Sequence, residues 1–257
     1  MKIIDELEYI IKLPEYINGL EIRHSPFSLF CKEDYIARYT ETCRIFQEVY
    51  FHITCARYCL LIANETDHSN ICKDAKGYAW YRGLNANTSI MWYNAAFDIL
   101  LQTLWIYKKL YKEHNFGKKK EPVYYDRINS DTLPQILEGC TLGRIKKYLN
   151  NESIVKKIEL FQETHSVIHE LGNSLKHRNG VKYRDFYPSS NISYACFYEK
   201  ENKIVINESG YNSSHTLSLW ELKDIVQKLK EFHIHFLTLI EEVYSFMEFD
   251  RLFLNNK

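Results

Sequence analysis

The chain has few of the residues that interrupt helices. Its 257 residues include five prolines and nine glycines. A sandwich of short strands needs turn residues more often than this, so the composition favours long, uninterrupted helices. The chain also lacks a run of about 18 apolar residues without charges, which a transmembrane helix would need. We therefore expect one large helical core and no membrane partner.

Several functional signals are missing as well. Acidic residues such as Asp5 and Glu6 interrupt the apolar stretch that a secretory signal would need. Lys and Arg together number 33, as do Asp and Glu, so the net charge indicates no nucleic-acid partner. The seven cysteines are irregularly spaced, which is typical of reduced thiols. We expect a cytoplasmic protein. Without a glycine-rich nucleotide loop, a zinc framework or a serine elbow, we expect no cofactor and no metal.

Apolar residues recur at steps of three and four in four long segments, which indicates helices. These segments begin near Ile36, Ile90, Ser153 and Leu222, and the third is expected to run unbroken from 153 to 177. Ser89 is the expected N-cap of the second helix. The sequence predicts an all-α fold: an up-and-down bundle of about four to five long helices with short accessory helices near 131–137 and 141–149. A small β-hairpin is predicted at about 190–208 before the last helix, within a single domain of 1–257.

Polar side chains recur every four residues on two of the predicted helices. On the second helix they are Asn94, Asp98 and Gln102, which lie along one stripe. Burying the Asp98 carboxylate without a partner would cost several kcal/mol, so we expect a donor from a neighbouring helix beside it. The third helix carries a matching row, which consists of His165, His169, Asn173 and His177.

The simplest arrangement sets Asn94 and Asp98 against Asn173 and His177. An imidazole held by an amide or a carboxylate has a fixed tautomer and can transfer protons near neutral pH. The alternative is a polar layer that only fixes the helix register. A zincin-like metal site is not expected beside His169, because Asn173 stands where the second His ligand would be needed.

The segment 173–178, Asn-Ser-Leu-Lys-His-Arg, follows a helix that carries Asn94 and Asp98, and together they resemble the HEPN superfamily of helical bundles. Active members carry an Arg, a polar residue and a His near the end of the penultimate long helix. They form a metal-independent ribonuclease site, usually across a homodimer. The resemblance implies that His177 is the general acid or base, that Asn173 positions the phosphate and that Asp98 orients polar partners.

The resemblance also implies substrate-binding residues near this site, which are Lys176, Arg178, Asn94, Lys182 and Arg184. Gly172 stands at the position of the family Arg, which would bind the scissile phosphate by charge-assisted hydrogen bonds. A mid-helix glycine also predicts close approach of another helix at a packing seam.

Three functions stay open at this point. The first is a metal-independent endoribonuclease or a catalytically degenerate relative in a toxin–antitoxin or defence system. The second is a non-catalytic helical dimer that binds RNA, a nucleotide or a protein. The third is a structural interaction module. The resemblance implies a second copy of the chain, RNA, and an antitoxin or another protein as partners.

Overall fold

The computed structural model describes residues 33–65, 71–113, 128, 131–149, 153–177, 181–186, 196–200, 203–207 and 219–247. This part of the chain is mostly helical, which confirms the predicted helical class. The helices, in chain order, are α1 (Glu33–Asn64), α2 (Ala75–Tyr107), α3 (Leu133–Glu138), α4 (Leu142–Tyr148), α5 (Ser153–Thr164), α6 (Ser166–His177) and α7 (Leu222–Phe246).

Within the described residues, four short strands accompany the helices. β1 (Lys182–Tyr183) pairs in parallel with β4 (Leu219–Trp220). β2 (Cys196–Lys200) pairs antiparallel with β3 (Lys203–Asn207), inside the segment where the sequence predicts a hairpin. The β1–β4 pairing places the chain that follows α6 beside the chain that precedes α7.

Helices α1 and α2 lie antiparallel along most of their length. The hydroxyl of Ser89 donates to the carbonyl of Ala56 at 2.9 Å. Closer to the connection, the Arg82 guanidinium donates to the carbonyl of Ala63 at 2.8 Å. The contact with the lower residue number on α2 has the higher residue number on α1, so the two helices run in opposite directions and form one antiparallel hairpin.

The predicted start of the second helix is wrong. Ser89 is buried inside α2 and does not cap it. The helix begins at Ala75, and Asp74 is its N-cap, whose carboxylate accepts from the backbone N–H of Gly77 at 2.7 Å. A side-chain oxygen at this position satisfies one of the free N–H groups of the first turn.

The predicted continuous helix 153–177 is interrupted at His165, which separates α5 from α6. The His165 carbonyl accepts from two following backbone N–H groups, a shared acceptor typical of a tightened turn. Its ring packs against Phe161 and Phe232 at centroid distances of 4.7 and 5.0 Å. Its Nε2 lies 3.0 Å from Nδ1 of His235 on α7. The interruption therefore coincides with a side chain held by the neighbouring helix.

Aromatic rings from α2, α5 and α7 meet in the centre of the core. Phe232 is fully buried, and its ring centroid lies 4.9 Å from that of Phe161 and 5.1 Å from that of Tyr93. Phe236 lies 5.5 Å from Phe232 on the next turn of α7. Such edge and tilted contacts add to the area that the rings bury. Phe232 and Phe236 also contact His169 and Phe97, respectively, which belong to the site described below.

Candidate functional site

A cleft of about 410 Å³ opens between α2, α6 and the turn that joins α3 to α4, and we call it the α2–α6 cleft. The turn is held in place by two hydrogen bonds of 2.8 Å, from the Trp105 indole to the carbonyl of Ile136 and from Arg144 to the carbonyl of Gly139. The cleft is lined by Asn94, Phe97, Asp98, Leu101, Gln102, Cys140, Thr141, Leu142, Gln162, His169, Asn173 and Lys176.

The buried amide of Asn94 connects the two walls of the cleft. Its Nδ2 donates to the carbonyl of Ile90 at 2.9 Å and to that of Ile168 at 3.2 Å. Its Oδ1 lies 2.8 Å from Nδ1 of His169. Two carbonyls can only accept, which fixes the orientation of the amide and makes Oδ1 the acceptor for the imidazole. His169 therefore carries its proton on Nδ1.

The second nitrogen of His169, Nε2, is buried and has no hydrogen-bond partner within the described part of the chain. Burial, followed by the charges of His165 and Lys176, lowers the pKa of His169 to about 4. Its ring packs 4.9 Å from that of Phe97. At neutral pH the cleft thus includes an uncharged imidazole with an unused lone pair.

Gly172 lies directly against Asn94. A Cβ atom on Gly172 would stand 2.6 Å from Cγ of Asn94, closer than packed carbon atoms approach. This contact confirms the prediction that another helix comes close at Gly172. A side chain at this position would have to displace the amide that links α2 to α6.

Asp98 lies at the mouth of the cleft. Nζ of Lys176 donates to its Oδ2 at 3.4 Å, and their side chains are 34% and 57% exposed, in the order Lys176 and Asp98. The expected donor is therefore present, but the expectation of a buried carboxylate is wrong, because Asp98 faces water. Ion pairs at this degree of exposure contribute little to stability.

The expected pairing of Asn94 and Asp98 with Asn173 and His177 is wrong by about one turn. Asn94 binds His169, one turn before Asn173. Asn173 is exposed and lines the cleft, and its side chain has no hydrogen-bond partner in the described residues, whereas the exposed His177 does not line the cleft. The contact of Gly172 with Asn94 sets the position of α6 along α2 and so determines which residues meet.

Of the expected binding residues, some line the cleft and others lie elsewhere on the protein. Lys176 and Asn94 line the cleft, but Lys182 on β1 and Arg184 do not. Arg184 is exposed, and its Nε lies 3.3 Å from Oε1 of Glu221. Arg178 lies outside the described residues. The expected catalytic and binding residues therefore do not form one cluster.

Sequence reasoning did not select His169 as a site residue. The four-residue row on the third helix contains it, so the signal was present in the sequence. The resemblance, however, directed the selection to the end of the row at Asn173 and His177. The partner that distinguishes His169 is Asn94 on another helix, which the period of one helix cannot show.

The cleft offers little nucleophilic or metal chemistry. Burial, followed by the charge of Asp98, raises the pKa of Cys140 to about 12, so its thiol stays protonated. In the described part of the chain, no three His, Cys, Asp or Glu side chains come together as a metal site would need. What remains at the cleft is hydrogen-bonding capacity from amides, a carboxylate and an ammonium.

Protein-family models, curated proteins and solved structures gave no match to this chain. Among the described residues, no helix is both long enough and apolar enough to cross a membrane.

The two buried histidines predict a loss of stability in mild acid. Burial, followed by the charge of the neighbouring His235, also lowers the pKa of His165 to about 4, from an ordinary value of 6.5. Between about pH 6.5 and pH 4, these two histidines are therefore protonated in the unfolded chain but neutral in the folded chain. The stabilisation is complete above about pH 6.5 and is lost as the pH falls towards 4.

We expect the urea midpoint to fall from about pH 7 to about pH 5, where most carboxylates stay ionised. His169→Gln keeps an N–H donor for Asn94 but does not titrate, so its midpoint should change less over the same range. Equal changes in the two proteins would show that His169 does not contribute.

Proposed function

We propose that this chain is a HEPN-like helical protein that binds a nucleotide unit in the α2–α6 cleft without cleaving it. The unit is either a free nucleotide or one nucleotide of an RNA strand. With this function we propose an up-and-down bundle of about four to five long helices and a cytoplasmic homodimer, as the resemblance implies. An antitoxin or another protein partner, in a toxin–antitoxin or defence system, belongs to the same proposal.

The proposal that the chain does not cleave RNA rests on the residue at position 172. The HEPN pattern requires an Arg at position 172, where this chain has Gly172 packed against the buried amide of Asn94. An Arg would stabilise the transferring phosphate by charge-assisted hydrogen bonds, and Gly172 has no side chain that could do so. The His of the pattern, His177, is exposed and does not line the cleft. Neither group required by the family chemistry is directed at the cleft.

The size and lining of the cleft support binding. Its volume of about 410 Å³ falls within the roughly 300–1,000 Å³ of small-molecule sites. Among the lining residues, Phe97 and Leu101 are apolar and almost fully buried, whereas Gln102 and Asn173 supply amide groups. Eight of the twelve lining side chains are polar, which suits a ligand that, like a nucleotide base, carries hydrogen-bond donors and acceptors on its edge.

The test combines binding and cleavage in one sample. Fluorescent single-stranded RNA is mixed with an excess of the full chain, once with chelator and once with Mg²⁺, and analysed on native and denaturing gels. We expect a retarded complex on the native gel and full-length RNA on the denaturing gel. Asn173→Ala should weaken the complex by about tenfold, because it removes a hydrogen-bonding group from the cleft.

A matched control uses His177→Ala. RNA shortened by the wild-type chain but left intact by this variant would establish a ribonuclease and overturn the absence of cleavage. If neither RNA nor mononucleotides bind, the binding function itself is wrong. Thermal melting of each variant checks that it is folded.

A further inference from the structure

We propose that the α2–α6 cleft recognises the base of its nucleotide through amide side chains and does not recognise the phosphate. This inference rests on the proposed function and specifies its ligand. The structural basis is the combination of three unengaged amides with a charge pair that cancels, around an uncharged imidazole.

The lining of the cleft carries no net charge. Among the described residues that line it, Lys176 is the one cation and Asp98 the one carboxylate. They pair with each other at 3.4 Å, so the formal charge of the lining is zero. Phosphate recognition depends on positive charge, and a nearby carboxylate opposes it. A phosphate would therefore gain little from entering the cleft.

The fold leaves hydrogen-bonding groups of three amide side chains unused at the cleft. The amides of Gln102, Gln162 and Asn173 line the cleft and have no hydrogen-bond partner in the described part of the chain. Each amide offers two N–H donors and one acceptor oxygen. Base edges present donors and acceptors side by side, and Asn and Gln can bind them with two hydrogen bonds. Unengaged amides on α2, α5 and α6 thus surround a space that suits a base.

The inner wall of the cleft is formed by His169 and Phe97. His169 is neutral there because burial lowers its pKa to about 4, and its Nδ1–H is already committed to Asn94. Phe97 is 3% exposed and packs against the imidazole ring at 4.9 Å. A phosphate would lose its hydration against this uncharged wall, whereas an uncharged base would lose less. The inner wall and the mouth of the cleft therefore both favour the base over the phosphate.

The test compares ligands that differ only in the phosphate. The four ribonucleosides and their 5′-monophosphates are titrated into the full chain by calorimetry at low and at moderate salt. We expect at least one nucleoside to bind, and its monophosphate to bind within about threefold of it. Between about 50 and about 200 mM salt, both affinities should change by less than about threefold, since few counterions are released.

Two results would overturn the inference and leave the proposed function intact. One is a monophosphate that binds more than about tenfold tighter than its nucleoside or weakens about tenfold with salt. The other is RNA that is retained while no nucleoside or monophosphate binds, because the strand would then be held by its backbone. If no nucleoside, monophosphate or RNA binds, the proposed function fails as well.

Variants test the amides directly. Gln102→Leu and Gln162→Leu keep the side-chain size but remove the polar group, and each should weaken the bound nucleoside by about tenfold. Gln227→Leu on α7, which is exposed and does not line the cleft, is the matched control and should change affinity by less than about twofold.

Lys176→Gln combined with Asp98→Asn tests the phosphate separately from the base, because the double variant keeps the formal charge of the lining at zero. The ratio of monophosphate to nucleoside affinity should stay the same in this variant, whatever happens to the two affinities. A selective loss of monophosphate binding would show that Lys176 binds the phosphate and would overturn the inference.

Discussion

Replacing Gly172 with alanine is expected to lower the free energy of unfolding by about 2–4 kcal/mol. The new Cβ would stand 2.6 Å from Cγ of Asn94, so the amide must move. Overpacking alone costs about 1–3 kcal/mol. The moved amide also loses its hydrogen bonds to Ile168 and His169, each of which contributes about 1 kcal/mol. The higher helix propensity of alanine returns at most about 1 kcal/mol.

Gly143 provides the matched control for this substitution. It also lies in a helix, α4, but a Cβ atom there would meet no atom within 4 Å. Gly143→Ala should therefore leave stability unchanged or raise it by up to about 1 kcal/mol. Urea unfolding should therefore show a clear loss of stability for Gly172→Ala and no loss for Gly143→Ala. Equal changes would contradict the tight contact at Gly172.

A double-mutant cycle identifies the partner. Asn94→Ala removes the amide that the new Cβ would meet, so Gly172→Ala should cost less than about 1 kcal/mol in that background. If the cost stays the same with and without the Asn94 side chain, the loss does not come from this contact.

Replacing Phe232 with alanine is expected to cost about 3–5 kcal/mol, the largest loss among the substitutions proposed. The side chain is fully buried, and its ring lies 4.9 Å from Phe161 and 5.8 Å from His169. Its removal takes away apolar contacts from three helices at once. The neighbouring rings cannot close the space without leaving their own positions. The thermal midpoint and the urea midpoint should both fall.

Ile234 lies two residues further along the same helix but is 52% exposed. Ile234→Ala should cost less than about 1 kcal/mol, since little apolar surface is lost from the interior. A comparable loss in the two variants would mean that Phe232 does not hold the central position described here.

The periodicity of the sequence predicts the helices where apolar residues dominate. The last helix, Leu222–Phe246, begins where the sequence predicts a helix. The start of α2 was missed because Arg82 and the residues around it interrupt the apolar pattern before Ile90. The break at His165 was missed because the step of three and four continues through it, while its cause lies on α7.

The site was predicted in part for the same reason. Asn94, Asp98, Asn173 and Lys176 all line the cleft, because one helical face keeps its members together. The periodicity of each helix does not predict how far two helices are shifted along one another. That offset is set by the contact of Gly172 with Asn94, so His169 took the place that the sequence reasoning gave to Asn173 and His177.

The packing of Gly172 on Asn94 also restricts the mutational paths open to this chain. A single change from glycine to arginine at position 172 would place a long side chain where the Asn94 amide lies, and the variant would have to survive the resulting loss of stability. A smaller residue at position 94 would need to be acquired first. A descendant with an arginine at position 172 is therefore separated from this chain by at least two ordered substitutions, the first of which gives up the amide that joins α2 to α6.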